Sequence, residues 1–296
     1  MSFDNAYEAI AETHPEGDAR WAFGTGFDDP LSGVDTTVPE GVDTADLAAY
    51  CLMLGDDALL LSQRLTEWVT RAHELEDEMA LANIALDLLG QARMLLSRAG
   101  SVEGAGRDED ALAYFRSEAE FRNVRLAELP MGDFGRTTAS LLVFSTWRLA
   151  LLNRLVGSAD PVLAAIAAKA VKEVTYHREY AARWAVRLGD GTEYSAERLR
   201  AGFADVLPLV DELFAGHAVE RRLAASGVAV DSTELREEFE QVLGQVCELA
   251  TLRLPEVDRT GTVGGLAGRD GVHTEHLGYL LAEMQSLARS DPEATW

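Results

Sequence analysis

Cysteine is scarce in this chain. Its 296 residues include only Cys51 and Cys247, too few and too far apart for a disulfide framework or a thiolate metal site. Both lie in apolar helical patterns, so we expect buried, unreactive thiols. No uninterrupted apolar run approaches the ~20 residues that span a bilayer. The opening residues, MSFDNAYEAI, lack the basic and apolar segments of a signal peptide. We therefore expect a cytoplasmic protein without a membrane partner.

Positive charge, and lysine above all, is also scarce. Fifty acidic residues face 26 basic ones, a formal net charge of −24, and Lys169 and Lys172 are the only lysines. Such a surface repels nucleic-acid backbones, so we expect no nucleic-acid partner. It is typical of halophilic proteins, because concentrated salt screens self-repulsion in the compact state. The alternative is an acidic protein encoded by GC-rich codons, which also favour arginine over lysine.

The sequence has no long stretch in which apolar and polar residues alternate as in a β-strand. A helical period of apolar residues runs through most of the chain instead. Thr44 is predicted to cap the first long helix, and Asp160 the fourth, with Pro161 in its first turn. This pattern predicts an all-α bundle with additional short helices. The predicted helices span 44–70, 75–98, 109–123, 134–156, 161–188, 195–215 (interrupted near Pro208), 218–225, 232–253 and 273–289, with an acidic cap signature at Asp231–Glu234 and a flexible glycine-rich linker after Pro255.

Residues 1–43 differ from the rest, being rich in Gly, Pro, Asp and Thr without a sustained period. They predict an extended N-terminal arm, followed by one helical domain over 44–296 that includes the linker and the closing helix. Trp21, Phe23 and Phe27 would allow the arm to anchor to its own domain or to a partner. A loose leader is an equally good interpretation.

Metal ligands are missing where a bundle of this type would need them. Carboxylate bundles hold two metals with a Glu from each of two helices and a Glu-x-x-His pair from each of the other two. None of the six histidines has a glutamate three residues before it, and no Asp or Glu occurs between Gly135 and Gly157. We therefore expect a bundle that cannot hold two irons.

Two segments carry the most specific sequence, ALANIALDLLGQAR (80–93) and AKAVKEVTYHREY (168–180). Here the chain resembles the ferritin-like subunits of phenylacetyl-CoA 1,2-epoxidase, the bacterial multicomponent oxygenase that begins aerobic phenylacetate breakdown. In the catalytic subunit these helices carry Asp-Glu-x-x-His and Glu-Glu-x-x-His. Asp87 and His177 match that pattern. Ligand positions are instead occupied by Leu88, Gln91 and Val174.

The chain is therefore more similar to the non-catalytic C-type subunits of that family, from Asp46 to Trp296. The similarity also rests on LGDDALLLSQRLTEW (54–68), GVHTEHLGYLLAEMQ (271–285) and the terminal Trp296. The resemblance implies a ferritin-like bundle without a cofactor of its own, which packs beside a di-iron catalytic subunit and supports its folding or activity. Further small subunits and a reductase complete such assemblies, which epoxidise the aromatic ring of phenylacetyl-CoA with O2.

Several residues invite a second interpretation. Asp87, Gln91, Glu173 and His177 are candidates for a polar network left at the degenerate site, since Glu173 and His177 share a helix face. A structural or inter-subunit motif is the interpretation we prefer for His273, Glu275 and His276. The alternative is a free-standing metalloenzyme built on His177 or on the His273/His276 cluster.

Two further points remain open in the sequence. Asp56, Asp57 and Glu67 could face the bundle interior, but we prefer a solvated or salt-bridged helix face for them. Trp68, Trp147 and Trp184 are expected in the core. A scaffold repurposed for another oxygenase of the same architecture is a third interpretation, because no residue here can be argued to recognise CoA or a phenyl ring.

Salt adaptation is testable on the purified chain. If the acidic surface needs screening, the midpoint of thermal unfolding will rise between dilute buffer and 1 M KCl, where the Debye length falls to ~3 Å. We expect a rise of about 4 °C or more, roughly 1–2 kcal/mol for a domain of this size. The same thermal midpoint in dilute buffer and in 1 M KCl would show that the chain is not an obligate halophile.

Overall fold

The computed structural model describes residues 31–260 and 262–292. Backbone contacts divide the chain into two units, Met1–Ser32 and Gly33–Trp296. Most of the predicted arm, including its three aromatic residues, lies outside the described residues. Its last part, residues 33–43, is non-helical and belongs to the second unit, to which all the helices below belong.

The second unit is an all-α, ferritin-like bundle, as predicted. No β-strand occurs among the residues described, and the single strand-like feature there is an isolated bridge between Val263 and Leu266. Within the described residues, four α-helices exceed 20 residues and five are shorter. They are α1 (Thr44–Thr66), α2 (Leu75–Glu103), α3 (Glu109–Tyr114), α4 (Phe134–Leu155), α5 (Pro161–Gly189), α6 (Glu193–Val206), α7 (Ala218–Ala225), α8 (Arg236–Leu249) and α9 (Glu275–Ser290).

Side-chain caps define the helix starts. Asp160 caps α5 as predicted, because its carboxylate accepts from the backbone N–H of Leu163 at 2.9 Å. The predicted cap Thr44 is wrong. Asp43 caps α1 instead, accepting from the N–H groups of Ala45 and Asp46. A carboxylate one residue earlier reaches two of the four unpaired N–H groups at the helix start, which the Thr44 hydroxyl does not.

The predicted end of α2 before Gly100 is also wrong. The helix continues to Glu103 and ends at Gly104, whose φ of 74° is left-handed, a common helix stop. Gly100 has a different role: a Cβ there would lie 2.0 Å from the Arg107 carbonyl oxygen. That glycine allows the loop after α2 to approach the helix closely.

Three predicted helices are shorter than expected because 3-10 turns replace part of them. The 109–123 prediction yields only α3, with a 3-10 turn at Glu118–Glu120. Near Pro208, Leu207–Phe214 is 3-10, and Ser232–Leu235 precedes α8 in the same way. Asp231 caps that last turn through the N–H of Thr233 rather than in a box with Glu234.

The four long helices pack as two pairs. α1 lies along α2, α4 lies along α5, and contacts between α2 and α5 join the pairs. Trp68 and Trp147 are buried as predicted, whereas Trp184 is half-buried and donates its indole N–H to Asp77 at 2.9 Å.

Both cysteines are free and buried, as predicted. Burial raises the pKa of both thiols, that of Cys247 to about 11, so they stay protonated and unreactive near neutral pH.

Helix α2 contains a long apolar window. By length and composition alone it could cross a membrane, and half of its most apolar 18-residue window is buried in the protein. A helix that packs into a core on one side gives the same result, so this observation is weak evidence for a membrane span. Its other half faces outward.

Gly100 and Gly244 provide a matched test of close approach. Gly100→Ala should lower the free energy of unfolding by about 1–3 kcal/mol, because the new Cβ overlaps a carbonyl oxygen. Gly244→Ala should raise it by about 0.5–1 kcal/mol, because a Cβ there meets nothing within 4 Å. Urea unfolding of both variants measures these changes. Equal changes in the free energy of unfolding would contradict the close approach described at Gly100.

Candidate functional site

The centre of the bundle is occupied by an arginine. Arg148 lies in the middle of α4 and is fully buried. Its guanidinium donates to the Leu54 carbonyl oxygen of α1 at 3.1 Å and contacts the Gln91 amide oxygen of α2 at 3.5 Å. Gln91 donates in turn to Glu173 of α5 at 3.0 Å. Three polar side chains and one backbone carbonyl thus link all four long helices.

The charge of Arg148 is only partly compensated. Burial lowers the pKa of its guanidinium to about 10, while the nearby Asp57 carboxylate opposes that shift. The group therefore remains a cation at neutral pH. Its Nη1 lies 3.8 Å from Asp57, and neither Nε nor Nη1 makes a hydrogen bond to any part of the chain that the structure describes. A buried cation with so few partners is costly.

The four residues proposed as a polar network come together as two rungs between α2 and α5. His177 Nε2 lies 3.0 Å from the Asp87 carboxylate, and Gln91 and Glu173 form the second rung. Within each helix the two members are four residues apart, so they share a face. Lys169 Nζ lies 3.4 Å from Glu173. The arrangement joins two antiparallel helices by side-chain pairs.

Apolar side chains fill the neighbouring ligand positions of the pattern. Leu88 and Val174 are buried in the core. Across the described ranges, 31–260 and 262–292, no group of three or more His, Cys, Asp or Glu side chains is placed to hold a metal ion. Together with the central guanidinium, this donor set does not fit a di-iron centre, which needs carboxylates from four helices.

Asp56 and Asp57 are fully buried and each forms an ion pair with an arginine. The solvated interpretation is therefore wrong for these two residues, and the salt-bridged one is confirmed. Asp56 binds the Arg116 guanidinium and accepts from the backbone N–H of Arg122 at 2.8 Å. Asp57 accepts from two nitrogens of Arg269, at 3.0 and 2.8 Å. Adjacent helix residues point about 100° apart, so both are buried only because irregular segments cover α1.

His273, Glu275 and His276 do not converge on one point. The His273 ring is buried, with Nδ1 2.9 Å from the Glu128 carboxylate and Nε2 3.1 Å from the Phe121 carbonyl oxygen. Glu275 is exposed. The backbone carbonyl of His276 accepts from Arg64. Because both ring nitrogens of His273 are engaged, neither has a free lone pair for a metal.

A cavity of about 310 Å³ lies beside these segments, lined in part by Glu212, His217, Glu220 and Asp270. Its buried carboxylates already have partners. Glu212 accepts from Arg125 and from the N–H of Gly268, and burial raises the pKa of this carboxyl although Arg125 opposes the shift. Glu220 accepts from the His217 N–H and the Ser232 hydroxyl. Both buried carboxylates of the cavity are therefore engaged, and His217 Nε2 lies 3.4 Å from the Asp270 carboxylate.

Two comparisons with known proteins show what the chain is similar to. The model of the phenylacetic acid catabolic protein family matches residues 33–296, starting where the second unit starts. The chain is 45% identical to the C-type subunit of 1,2-phenylacetyl-CoA epoxidase from Escherichia coli (strain K12) over 252 residues, which cover 84% of this chain and 99% of that protein.

The central ion pairs generate a double-mutant test. Asp57→Asn should cost about 3–5 kcal/mol of unfolding free energy, since it leaves Arg148 and Arg269 without their carboxylate. Arg148→Met should cost less, because Asp57 keeps its 2.8 Å bond to Arg269.

The double variant should recover part of the Asp57→Asn loss, and urea unfolding of all four proteins measures that coupling. Strict additivity would show that the two side chains act independently.

Proposed function

Because the chain belongs to the phenylacetic acid catabolic protein family, we propose that it is a metal-free, non-catalytic subunit of a phenylacetyl-CoA epoxidase. It binds and supports a ferritin-like catalytic subunit that carries the di-iron centre. Further small subunits and a separate reductase complete the assembly, which acts in the cytoplasm. The family and the named relative support the pathway. The bundle interior supports the division of labour.

The observation that carries the proposal is Arg148 at the bundle centre. A divalent cation pair is stable in a low-dielectric interior only when several carboxylates offset its charge. Here α4 supplies a cation and no carboxylate. The nearest carboxylate, Asp57, already binds Arg269. A metal pair would meet like charge and too few anionic ligands.

A bundle closed by its own side chains suits a supporting role. Catalytic sites need surrounding elements that hold their geometry to a fraction of an ångström. The two rungs between α2 and α5 replace the cross-linking that metals would supply, so the shape of the bundle is independent of metal loading. In this proposal the chain contributes no acid, base or ligand to the epoxidation.

The motif around His273 fits the same role. His273 and the N–H of Thr274 both bind Glu128, which fixes the start of α9 against the segment after α3. Glu275 points outward and is free to contact a neighbouring subunit. The described residues offer no support for the alternative, a free-standing metalloenzyme. His177 is bound to Asp87, and both ring nitrogens of His273 are bound to oxygens.

Metal analysis tests the proposal. The chain purified alone should contain far less than one iron or zinc per molecule, and a chelator should leave its thermal midpoint unchanged. Co-expressed with the catalytic subunit, it should form a complex whose iron stays with that subunit. Epoxidase activity should require both chains.

His177→Ala is the informative variant for that complex. It removes the best potential ligand in this chain and should leave the iron content of the complex unchanged. Stoichiometric iron in the lone chain, lost in His177→Ala, would overturn the proposal.

A further inference from the structure

A groove of about 540 Å³ lies between α3 and the end of α9. Phe115 and Leu287 line it with exposed fractions of 46% and 60%, although large apolar side chains are more often buried. The carboxylates of Asp108, Asp110 and Asp291 line the same groove. Its volume is enough for a small organic group, since ligand pockets measure roughly 300–1,000 Å³. Within the described residues, nothing covers this apolar surface.

The two walls of the groove are fixed to each other by side chains of α9. The Gln285 amide donates to the carbonyl oxygens of Ala113 and Arg116 at 3.0 and 3.1 Å. One turn later, Arg289 donates to the carbonyl oxygens of Tyr114 and Arg116 at 2.9 and 2.7 Å. The groove is therefore formed in advance and needs no occupant to hold it open.

The chain leaves α9 through the wall of this groove. Asp291 and Pro292, at the end of the described range, both line it. Residues 293–296 lie outside the described residues and read Glu-Ala-Thr-Trp, so Trp296 is their one large apolar side chain. Four residues reach at most ~14 Å when extended. An attached segment this short has an effective concentration in the millimolar range, which favours it over a free partner.

The chemistry of the groove matches an indole. A tryptophan ring has an apolar body and one N–H donor, which needs an acceptor when the ring is buried. Trp184 already meets that need through the Asp77 carboxylate. In the groove, Asp110 forms no hydrogen bond or ion pair with any described residue. Desolvation and two nearby carboxylates raise the pKa of Asp110, so a neutral donor suits it and a further acid does not.

We propose that Trp296 of the same chain binds in this groove and fastens the end of α9 to α3. Its ring covers Phe115 and Leu287, and its indole N–H donates to Asp110. A second copy of the chain is a poorer source of the occupant, because two bodies of charge −24 repel each other at long range. The inference is independent of the proposed function, since it concerns how the chain covers its own apolar surface.

Cysteine pairs test where residues 293–296 lie, because both native thiols are buried and have raised pKa values. In the full 296-residue chain, Thr295→Cys is combined with Ala111→Cys, which lines the groove. The matched control combines it with Ser286→Cys, which is exposed on α9 and lines a separate groove. A disulfide needs Cβ atoms about 3.5–4.5 Å apart. Under mild oxidation the Ala111→Cys pair should therefore close at least ~10-fold faster than the control, whereas an unbound segment would reach both at similar effective concentrations.

Trp296→Ala, added to both cysteine pairs, shows whether the indole is the anchor. It should abolish the difference in rate, and far-UV circular dichroism should show that the helices are retained, because Gln285 and Arg289 still hold α9. Equal rates with Trp296 present would overturn the inference, and so would a preference that survives Trp296→Ala. Disulfides that form only between chains would assign the groove to a second copy and overturn it as well.

Discussion

The carboxylate of Asp57 is the interaction on which the rest of the bundle depends. It lies fully buried on α1, accepts two hydrogen bonds from Arg269 and faces Arg148 across the bundle. Without this anion the interior would contain two uncompensated cations, which a low-dielectric core does not tolerate. Asp57 thereby joins the segment before α9 to α1. Its negative charge also offsets part of the cost of burying the Arg148 guanidinium among the four helices.

The Arg148 guanidinium also connects the long helices from inside the bundle. In carboxylate bundles, metal ions join the long helices from within. Here Arg148, Gln91 and Glu173 span the same four helices through hydrogen bonds, and His177 with Asp87 adds a second link. In the metal-free role proposed above, these side-chain links would take the place of metal ions in joining the helices.

The sequence predicted the helices because a 3.6-residue apolar period reports burial directly. The sequence-based prediction misplaced the end of α2 because it interpreted Gly100 as a helix stop. Gly100 instead allows close packing of the following loop, and a sequence alone does not distinguish these two roles of glycine. The two side-chain pairs between α2 and α5 were predictable in part. Their members are four residues apart on each helix, and the family resemblance indicates that the two segments face each other. The partners of Asp56 and Asp57 were unforeseeable: Arg116 and Arg269 lie 60 and 212 residues away, and no local pattern encodes such pairs.

A centre closed by Arg148 has a consequence for supply in the cell. Ferritin-like chains that depend on bound ions mature only as fast as those ions are delivered, because folding and loading are coupled. This chain completes its interior with residues it already carries. If the chain is the metal-free subunit proposed above, iron starvation limits only its catalytic partner, and this subunit is already folded when iron becomes available again.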